Sequence, residues 1–176
     1  DWEFTSPPVS VTTTVSPTTY TVTPNSGVSF TYTSTTNSGA GTECRLLDNT
    51  QTPLSTTYTQ GTSVTATVPN SIGSFGYYIQ CRDKTTTTAT ANSALITVTT
   101  ACATGTDFVS GQCRTKPKIT AVQSTGGTIS PSGETSVIYG GSQVYTISPN
   151  SGYEISSLTI NGTQVTPVAE SYTFTN

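Results

Sequence analysis

The 176-residue chain is predicted to be all-β, and three observations lead to this fold class. Apolar residues recur at every second position in short runs, which is the spacing that places side chains on one face of a strand. Turn-forming pairs such as Gly140-Gly141 and Asn161-Gly162 separate these runs. Roughly a quarter of the residues are Thr, which is β-branched and suits a pleated surface.

The length and the distribution of turns predict two β-sandwich-like domains joined by a disulfide-stapled linker. We expect an N-terminal arm at residues 1–8 and a first domain at residues 9–100. The linker is expected at residues 101–117 and a smaller β domain at residues 118–176.

The N-terminal arm carries the only Trp of the chain. In an extended arm Trp2 and Phe4 lie on one face, and Pro7-Pro8 forms a stiff spacer behind them. Two interpretations follow. The arm either docks on its own first domain, or it leaves that subunit and fills a groove on another copy.

Residues 9–100 read as a sandwich of seven short strands at intervals of about ten residues. The predicted strands are 9–15, 19–23, 28–33, 42–47, 63–68, 75–82 and 94–99. The alternation of side chains assigns an inward face to Val28, Phe30, Tyr32, Cys44, Leu46, Val64, Ala66, Val68, Tyr77, Ile79, Cys81, Ala94, Ile96 and Val98.

The strand Val28-Ser-Phe-Thr-Tyr-Thr-Ser-Thr35, the Cys on the next strand and the late strand Tyr77-Tyr-Ile-Gln-Cys81 resemble the cysteine-containing Ig-like modules of bacterial surface proteins. The resemblance implies an architecture and no activity. It departs from antibody domains, because no Trp lies between the cysteines and Ile79 occupies the position of the usual corner tyrosine.

The four cysteines are Cys44, Cys81, Cys102 and Cys113. Four cysteines allow three pairings, and sequential pairing is favoured because Cys102 and Cys113 bracket a glycine-containing, hairpin-like loop. Cys44 and Cys81 both fall on inward faces, so a bridge between the two sheets is expected. Disulfides indicate an oxidising, extracellular location.

Residues 118–176 contain predicted strands at 127–130, 135–139, 142–147, 153–156, 158–160 and 171–175, with a hairpin turn at Asn161-Gly162. Four segments, Gly127-Thr-Ile-Ser-Pro131, Gly140 to Tyr153, Leu158-Thr-Ile-Asn-Gly162 and Tyr172-Thr-Phe-Thr-Asn176, resemble a bacterial repeat of the divergent internalin B-repeat type. Members of that family continue with one more strand that closes the sheet. The resemblance therefore implies an open sheet edge beside Tyr172 and Phe174.

Composition argues against several classes of function. A net charge of −3 and only three clustered cations, Arg114, Lys116 and Lys118, argue against nucleic-acid binding. No apolar run is long enough for a membrane helix. The chain has no His, no paired acids at catalytic spacing and no phosphate-binding loop, so we expect no enzyme. Without His or a Cys-x-x-Cys pair we expect no metal site, and we expect no cofactor.

A covalent crosslink within the second domain is a further hypothesis. Lys116 or Lys118 near its first strand and Asn176 on its last strand resemble the Lys and Asn of pilin isopeptide crosslinks. Glu134 or Glu154 is then the candidate proton shuttle.

We expect a structural subunit of an extracellular bacterial filament or pilus-like surface assembly, whose partners are copies of itself. Trp2 and Phe4 are the candidate donor residues, and the edge beside Tyr172 and Phe174 is the candidate acceptor. The alternative is a stalk or adhesin segment of a larger surface protein that contacts host surfaces or glycans. In that case Tyr58, Tyr139 and Tyr153 are candidates for stacking on sugars.

Overall fold

The computed structural model describes residues 6–166 and 168–175. Over these residues all helix or strand assignments are β, so the predicted all-β class is confirmed. The described residues contain no helix capable of spanning a membrane. The chain divides into two compact units, Asp1–Cys102 and Ala103–Asn176, which we call unit 1 and unit 2 and describe separately.

Unit 1 is built from two sheets. One has the strand order β1-β3-β5, and the other has the order β2-β8-β6-β4 with β7 paired to β6. The β2 and β8 strands pair in parallel, whereas the other pairs are antiparallel. The strands are β1 Val11–Val15, β2 Thr19–Val22, β3 Gly27–Thr36, β4 Thr42–Asp48, β5 Ser63–Thr67, β6 Gly73–Asp83, β7 Thr90–Asn92 and β8 Ile96–Thr100.

The two sheets of unit 1 share one apolar core. The ring of Phe30 lies at its centre, 5.3 Å from the ring of Tyr20 and 5.5 Å from that of Tyr77, measured between centroids. Removal of such side chains from water is the main term that stabilises a domain of this size. The buried members are Val28, Phe30, Tyr32, Cys44, Leu46, Ala66, Val68, Tyr77, Ile79, Cys81, Ile96 and Val98.

The predicted core is correct except at two positions. Val64 is half-buried and still packs against the core, but Ala94 is exposed. The alternation fails at Ala94 because the chain leaves β7 at Asn92 and enters β8 only at Ile96. Ser93 is buried instead, and its hydroxyl accepts the backbone N–H of Ile79 at 3.0 Å.

The Cys44–Cys81 disulfide is present, but it does not join the two sheets. The two residues face each other on the neighbouring strands β4 and β6, with their Cα atoms 4.1 Å apart. Both backbone groups of Cys44 bond to Thr59, away from β6. The pair is therefore a non-hydrogen-bonded one, in which opposite residues lie closest. Cys102 and Cys113 are disulfide-bonded as well, which agrees with sequential pairing.

A fully buried carboxylate, that of Asp83, closes one end of unit 1. The hydroxyls of Ser38 and Thr36 donate to one oxygen, and Thr85 and Thr86 donate to the other. These hydrogen bonds, led by those from Ser38 and Thr36, hold the pKa of Asp83 well below its usual value. Ionised Asp83 thus connects the end of β6 to the loop after β3.

Unit 2 consists of four small sheets. A two-residue turn at Ser110-Gly111 joins the β9-β10 hairpin, which lies within the predicted linker. The other sheets are β11-β13, β12-β14-β17 and the β15-β16 hairpin. The strands are β9 Thr106–Val109, β10 Gln112–Thr115, β11 Lys118–Ala121, β12 Gly127–Ser130, β13 Gly133–Ser136, β14 Ser142–Pro149, β15 Leu158–Ile160, β16 Thr163–Val165 and β17 Ser171–Thr175.

Two predicted strands of unit 2 need correction. Residues 153–156 form no strand, although their apolar residues alternate. The strand predicted at 135–139 lies earlier, at Gly133–Ser136, where it pairs with β11. The predicted Asn161-Gly162 hairpin is confirmed, with φ of 49° and 80° at the two turn residues.

We expect the double substitution Cys44→Ala/Cys81→Ala to lower the free energy of unfolding of unit 1. The disulfide closes a loop with a sequence separation of 37, and the restored loop entropy of the unfolded chain corresponds to about 4 kcal/mol. Denaturant unfolding followed by circular dichroism measures the loss. An unchanged midpoint would contradict this account.

A second prediction concerns acid. Because the folded-state pKa of Asp83 is lowered, its contribution to stability is present above the unfolded pKa of about 4 and is lost as the pH falls toward the folded value. Asp83→Asn is therefore expected to destabilise the chain at neutral pH and to flatten the stability decline below about pH 4. Thermal unfolding between neutral pH and acid tests this. Parallel curves for the variant and parent would refute it.

Candidate functional site

Unit 2 contains a cavity of about 930 Å³ that is open to solvent and lies against the apolar face of the β12-β14-β17 sheet. The inner face of the β12-β14-β17 sheet forms one wall through Ile129, Tyr145, Ile147, Tyr172 and Phe174. Ile119, Leu158 and Ile160 also line the cavity. A cavity of this size lies in the range of ligand sites.

Few side chains of unit 2 are buried. Among its described residues the buried apolar ones are Val137 and Tyr145. Tyr172 and Phe174 are only half-buried, although their rings contact each other at 4.9 Å and Phe174 contacts Tyr145 at 5.6 Å. Apolar side chains that line a void lose dispersion contacts on the open side. The apolar face of this sheet is therefore incompletely covered.

The β17 strand lies at the edge of its sheet. Within the described part of the chain it pairs only with β14. The N–H of Ile147 donates to the carbonyl of Glu170. Because hydrogen-bonded and non-hydrogen-bonded pairs alternate along an antiparallel ladder, the backbone groups of Tyr172 and Phe174 also point toward β14. The N–H and C=O groups of Ser171, Thr173 and Thr175 then face away from the sheet and can accept another strand.

The β17 edge is also unprotected by charge. Edge strands commonly carry charged residues that prevent pairing with other chains, but the outward side chains of β17 are those of Ser171, Thr173 and Thr175. Tyr172 and Phe174 point to the cavity side. A strand added at this edge would thus place every second side chain over the cavity.

The corresponding edge of unit 1, strand β4, is covered. Residues 53 and 59 bridge to Leu47 and Cys44, and Tyr58 between them holds the segment in place. Its ring lies between the guanidinium groups of Arg45 and Arg82, at 4.4 Å and 3.9 Å. Its hydroxyl donates to Gln80 at 2.6 Å. Tyr58 is therefore a structural residue, which argues against its expected role in sugar stacking.

The other two tyrosines considered for sugar stacking differ in exposure. Arg114 donates to the hydroxyl of Tyr139 at 3.1 Å and lies over its ring at 5.4 Å. Tyr153 is 61% exposed and lines the cavity mouth, with its ring against Gly126. A Cβ on Gly126 would lie 2.5 Å from that ring, and its φ of +102° also requires glycine. Tyr153 is therefore held beside the cavity by the backbone below it.

The predicted donor residues Trp2 and Phe4 lie outside the described residues. The chain directly after them is fixed to unit 1 by Asn37. The Asn37 side chain accepts the N–H of Ser10 at 2.8 Å and donates to the carbonyl of Pro8 at 3.1 Å. Pro8 and Ser10 are therefore held close to the buried Asp83, which bonds to Thr36 and Ser38 on either side of Asn37.

The residues of the crosslink hypothesis are only partly described. Lys118 pairs with Glu134 at 2.7 Å, and both side chains are 56% exposed. Lys116 lies 3.5 Å from Asp107. Asn176 is not among the described residues, so the crosslink stays a prediction.

The described residues contain no group of three or more His, Cys, Asp or Glu side chains that could hold a metal ion. Sequence reasoning placed Tyr172 and Phe174 at an open edge, and the structure brings them to the cavity wall. It missed Asn37 and the Arg45–Tyr58–Arg82 cluster. Their partners lie 13 or more residues away in the chain, so no local pattern could have indicated them.

No protein-family model matches the chain, and no curated protein matches it either.

The hydroxyl of Tyr145 provides a test of the cavity wall. It is buried without a hydrogen-bond partner among the described residues, and an unsatisfied buried hydroxyl costs roughly 1–3 kcal/mol. We expect Tyr145→Phe to leave the free energy of unfolding unchanged or to raise it. Chemical denaturation of both proteins measures this. A clear loss of stability would show that the hydroxyl has a partner.

Proposed function

We propose that the protein is a structural subunit of an extracellular filament or surface assembly, in which unit 2 accepts a β-strand donated by another copy. The observation that carries the proposal is the unpaired, uncharged edge of β17 beside a 930 Å³ cavity. An added strand would satisfy the outward backbone groups of β17 and would cover Tyr172 and Phe174 together.

The proposed donor is the N-terminal arm of a second copy. Trp2 and Phe4 are two positions apart, so in a strand both side chains face the same way. A Trp and a Phe bury roughly 300–500 Å² together, on the order of 10 kcal/mol of transfer free energy before the entropy cost of association. The alternating polar residues of the arm would face solvent.

The course of the chain through unit 1 supports head-to-tail assembly. Asn37 holds Pro8 and Ser10 at one end of unit 1, and β1 begins there opposite Thr36. The chain leaves at Thr100, which faces Gly73 at the far end of the 11-residue β6. At about 3.3 Å per residue these ends lie roughly 33 Å apart. The start of β1 and the connection to unit 2 thus lie at opposite ends of unit 1.

An extracellular location is part of the proposal. Two features support it, the disulfide-bonded state of all four cysteines and a chain in which only 9% of the residues are charged. The strand order of unit 1, with a three-stranded sheet facing the β2-β8-β6-β4 sheet, supports an Ig-like module. The bacterial-repeat assignment of unit 2 likewise stays a proposal.

The arm can be tested as a separate peptide. Trp2 is the only Trp of the chain, so a variant lacking residues 1–6 contains none, and the fluorescence of a peptide of residues 1–8 reports its binding. We expect the peptide emission to shift to the blue when the truncated chain is added, because the indole leaves water for the cavity. We also expect the truncated chain to stay monomeric in sedimentation while the full chain polymerises.

The matched controls are a peptide with Phe4→Ser, which keeps the Trp signal, and a truncated acceptor with Phe174→Asp. Both should weaken binding. Unaltered polymers from the truncated chain would refute the role of the arm. A native polypeptide in which a further segment of the same chain pairs with β17 would support the stalk or adhesin interpretation instead.

A further inference from the structure

We propose that unit 1 has a mechanical function, namely to resist tension between its two ends through the parallel pairing of β2 with β8. This inference goes beyond the assembly mode. It applies equally to a filament subunit and to a stalk segment, because both are pulled through the ends of the chain.

The first step is the direction of the force. Tension at Ser10 pulls β1, and β2 behind it, toward the Asp83 end of unit 1. Tension at Ala101 pulls β8 toward the opposite end, where Thr100 faces Gly73. Because β2 and β8 run parallel, the two strands are drawn past each other along their length. All hydrogen bonds between them are then loaded at once, whereas strands pulled from one end separate bond by bond.

The second step is the strength of this pairing. Four residue pairs join the strands, from Thr19 with Thr97 to Val22 with Thr100. Flanking bonds extend the ladder at both ends, from Thr97 N–H to the Thr18 carbonyl at 2.8 Å and from Ala101 N–H to the Val22 carbonyl at 3.0 Å. Tyr20 and Val22 also pack against the core of unit 1.

The third step is the anchoring of β8 itself. The buried hydroxyl of Thr100 donates to the Ser71 carbonyl at 2.6 Å and accepts the Gly73 N–H at 3.0 Å. These bonds hold the end of β8 to the start of β6. The β6 strand is in turn joined covalently to β4 through Cys44 and Cys81. Force on β8 is therefore passed into the centre of the sheet.

Tension applied at Ser10 reaches the antiparallel pairing of β1 with β3 before it reaches the pairing of β2 with β8. It comprises five residue pairs, from Val11 with Thr36 to Val15 with Tyr32. Once β1 detaches, the load falls on β2 and β8. Their separation exposes the core and so completes the unfolding of unit 1.

Single-molecule force spectroscopy on the full chain, held by its two ends, tests the proposal. A reductant shows which unfolding step in the force trace belongs to unit 1, because reduction of the disulfide changes the length of that step. Opening the Cys44–Cys81 bridge, with a sequence separation of 37, lengthens that step by about 130 Å at the extension of a full strand. We expect this event to require high force in the unmodified protein.

Two proline variants separate shear strength from general damage. Since the carbonyls of Thr18 and Val22 face β8, the alternation of the ladder also turns the Val22 N–H toward β8 and the Thr21 N–H away from it. Val22→Pro removes a hydrogen bond between β2 and β8, so we expect this variant to unfold without the high-force event. Thr21→Pro leaves the hydrogen bonds between the two strands in place, so we expect the high-force event to remain. Equal unfolding forces for Val22→Pro and the parent would overturn the proposal.

A change of pulling direction provides a test without a ladder mutation. The second attachment point is moved into the exposed loop at Thr87-Thr88, which follows Asp83 and so lies at the same end of unit 1 as Ser10. Force applied there no longer draws β2 along β8. We expect the high-force event to be lost, and its persistence at the same force would overturn the proposal.

Discussion

A β-sheet with one apolar face needs a second layer over that face, and its outer strands need partners or protection for their free backbone groups. Unit 1 meets the first requirement internally and meets the second at strand β4. Its two sheets bury Phe30, Ile79 and Ile96 completely, and the segment around Tyr58 covers the edge of β4. Unit 2 meets neither requirement at β17 within the described residues. The difference between the two units is the physical basis of the assembly proposal.

The small number of charged residues is consistent with this difference. On the outer face of the β1-β3-β5 sheet, hydroxyl groups pair across the strands, as between Thr12 and Thr35 at 2.7 Å and between Thr14 and Thr33 at 2.6 Å. Such pairs stabilise neighbouring strands without ion pairs. A surface of this kind remains polar while it permits close packing of subunits, which a strongly charged surface opposes.

Some features were predicted well because they depend on local rules. Alternation identified the inward faces of β3, β4 and β6, and Asn161-Gly162 identified a hairpin, since a two-residue turn with positive φ at both positions leaves few other options. Local rules failed where the chain changes direction. In the sequence, Ala94 continues the alternation of apolar residues along β8, but in the structure it lies before the first residue of that strand. Residues 153–156 alternate correctly, yet they have no partner strand in the structure and form none.

The amino-acid sequence alone predicted the all-β class, most strand positions, most of the unit 1 core and the bridge between Cys44 and Cys81. It did so because side-chain period and turn chemistry are properties of neighbouring residues. The fold was needed to establish that the bridge lies within one sheet, that β2 runs parallel to β8, that Asn37 holds the root of the arm and that unit 2 contains a cavity beside β17. These features depend on which strands become neighbours, and that choice is made by the packing of the whole unit.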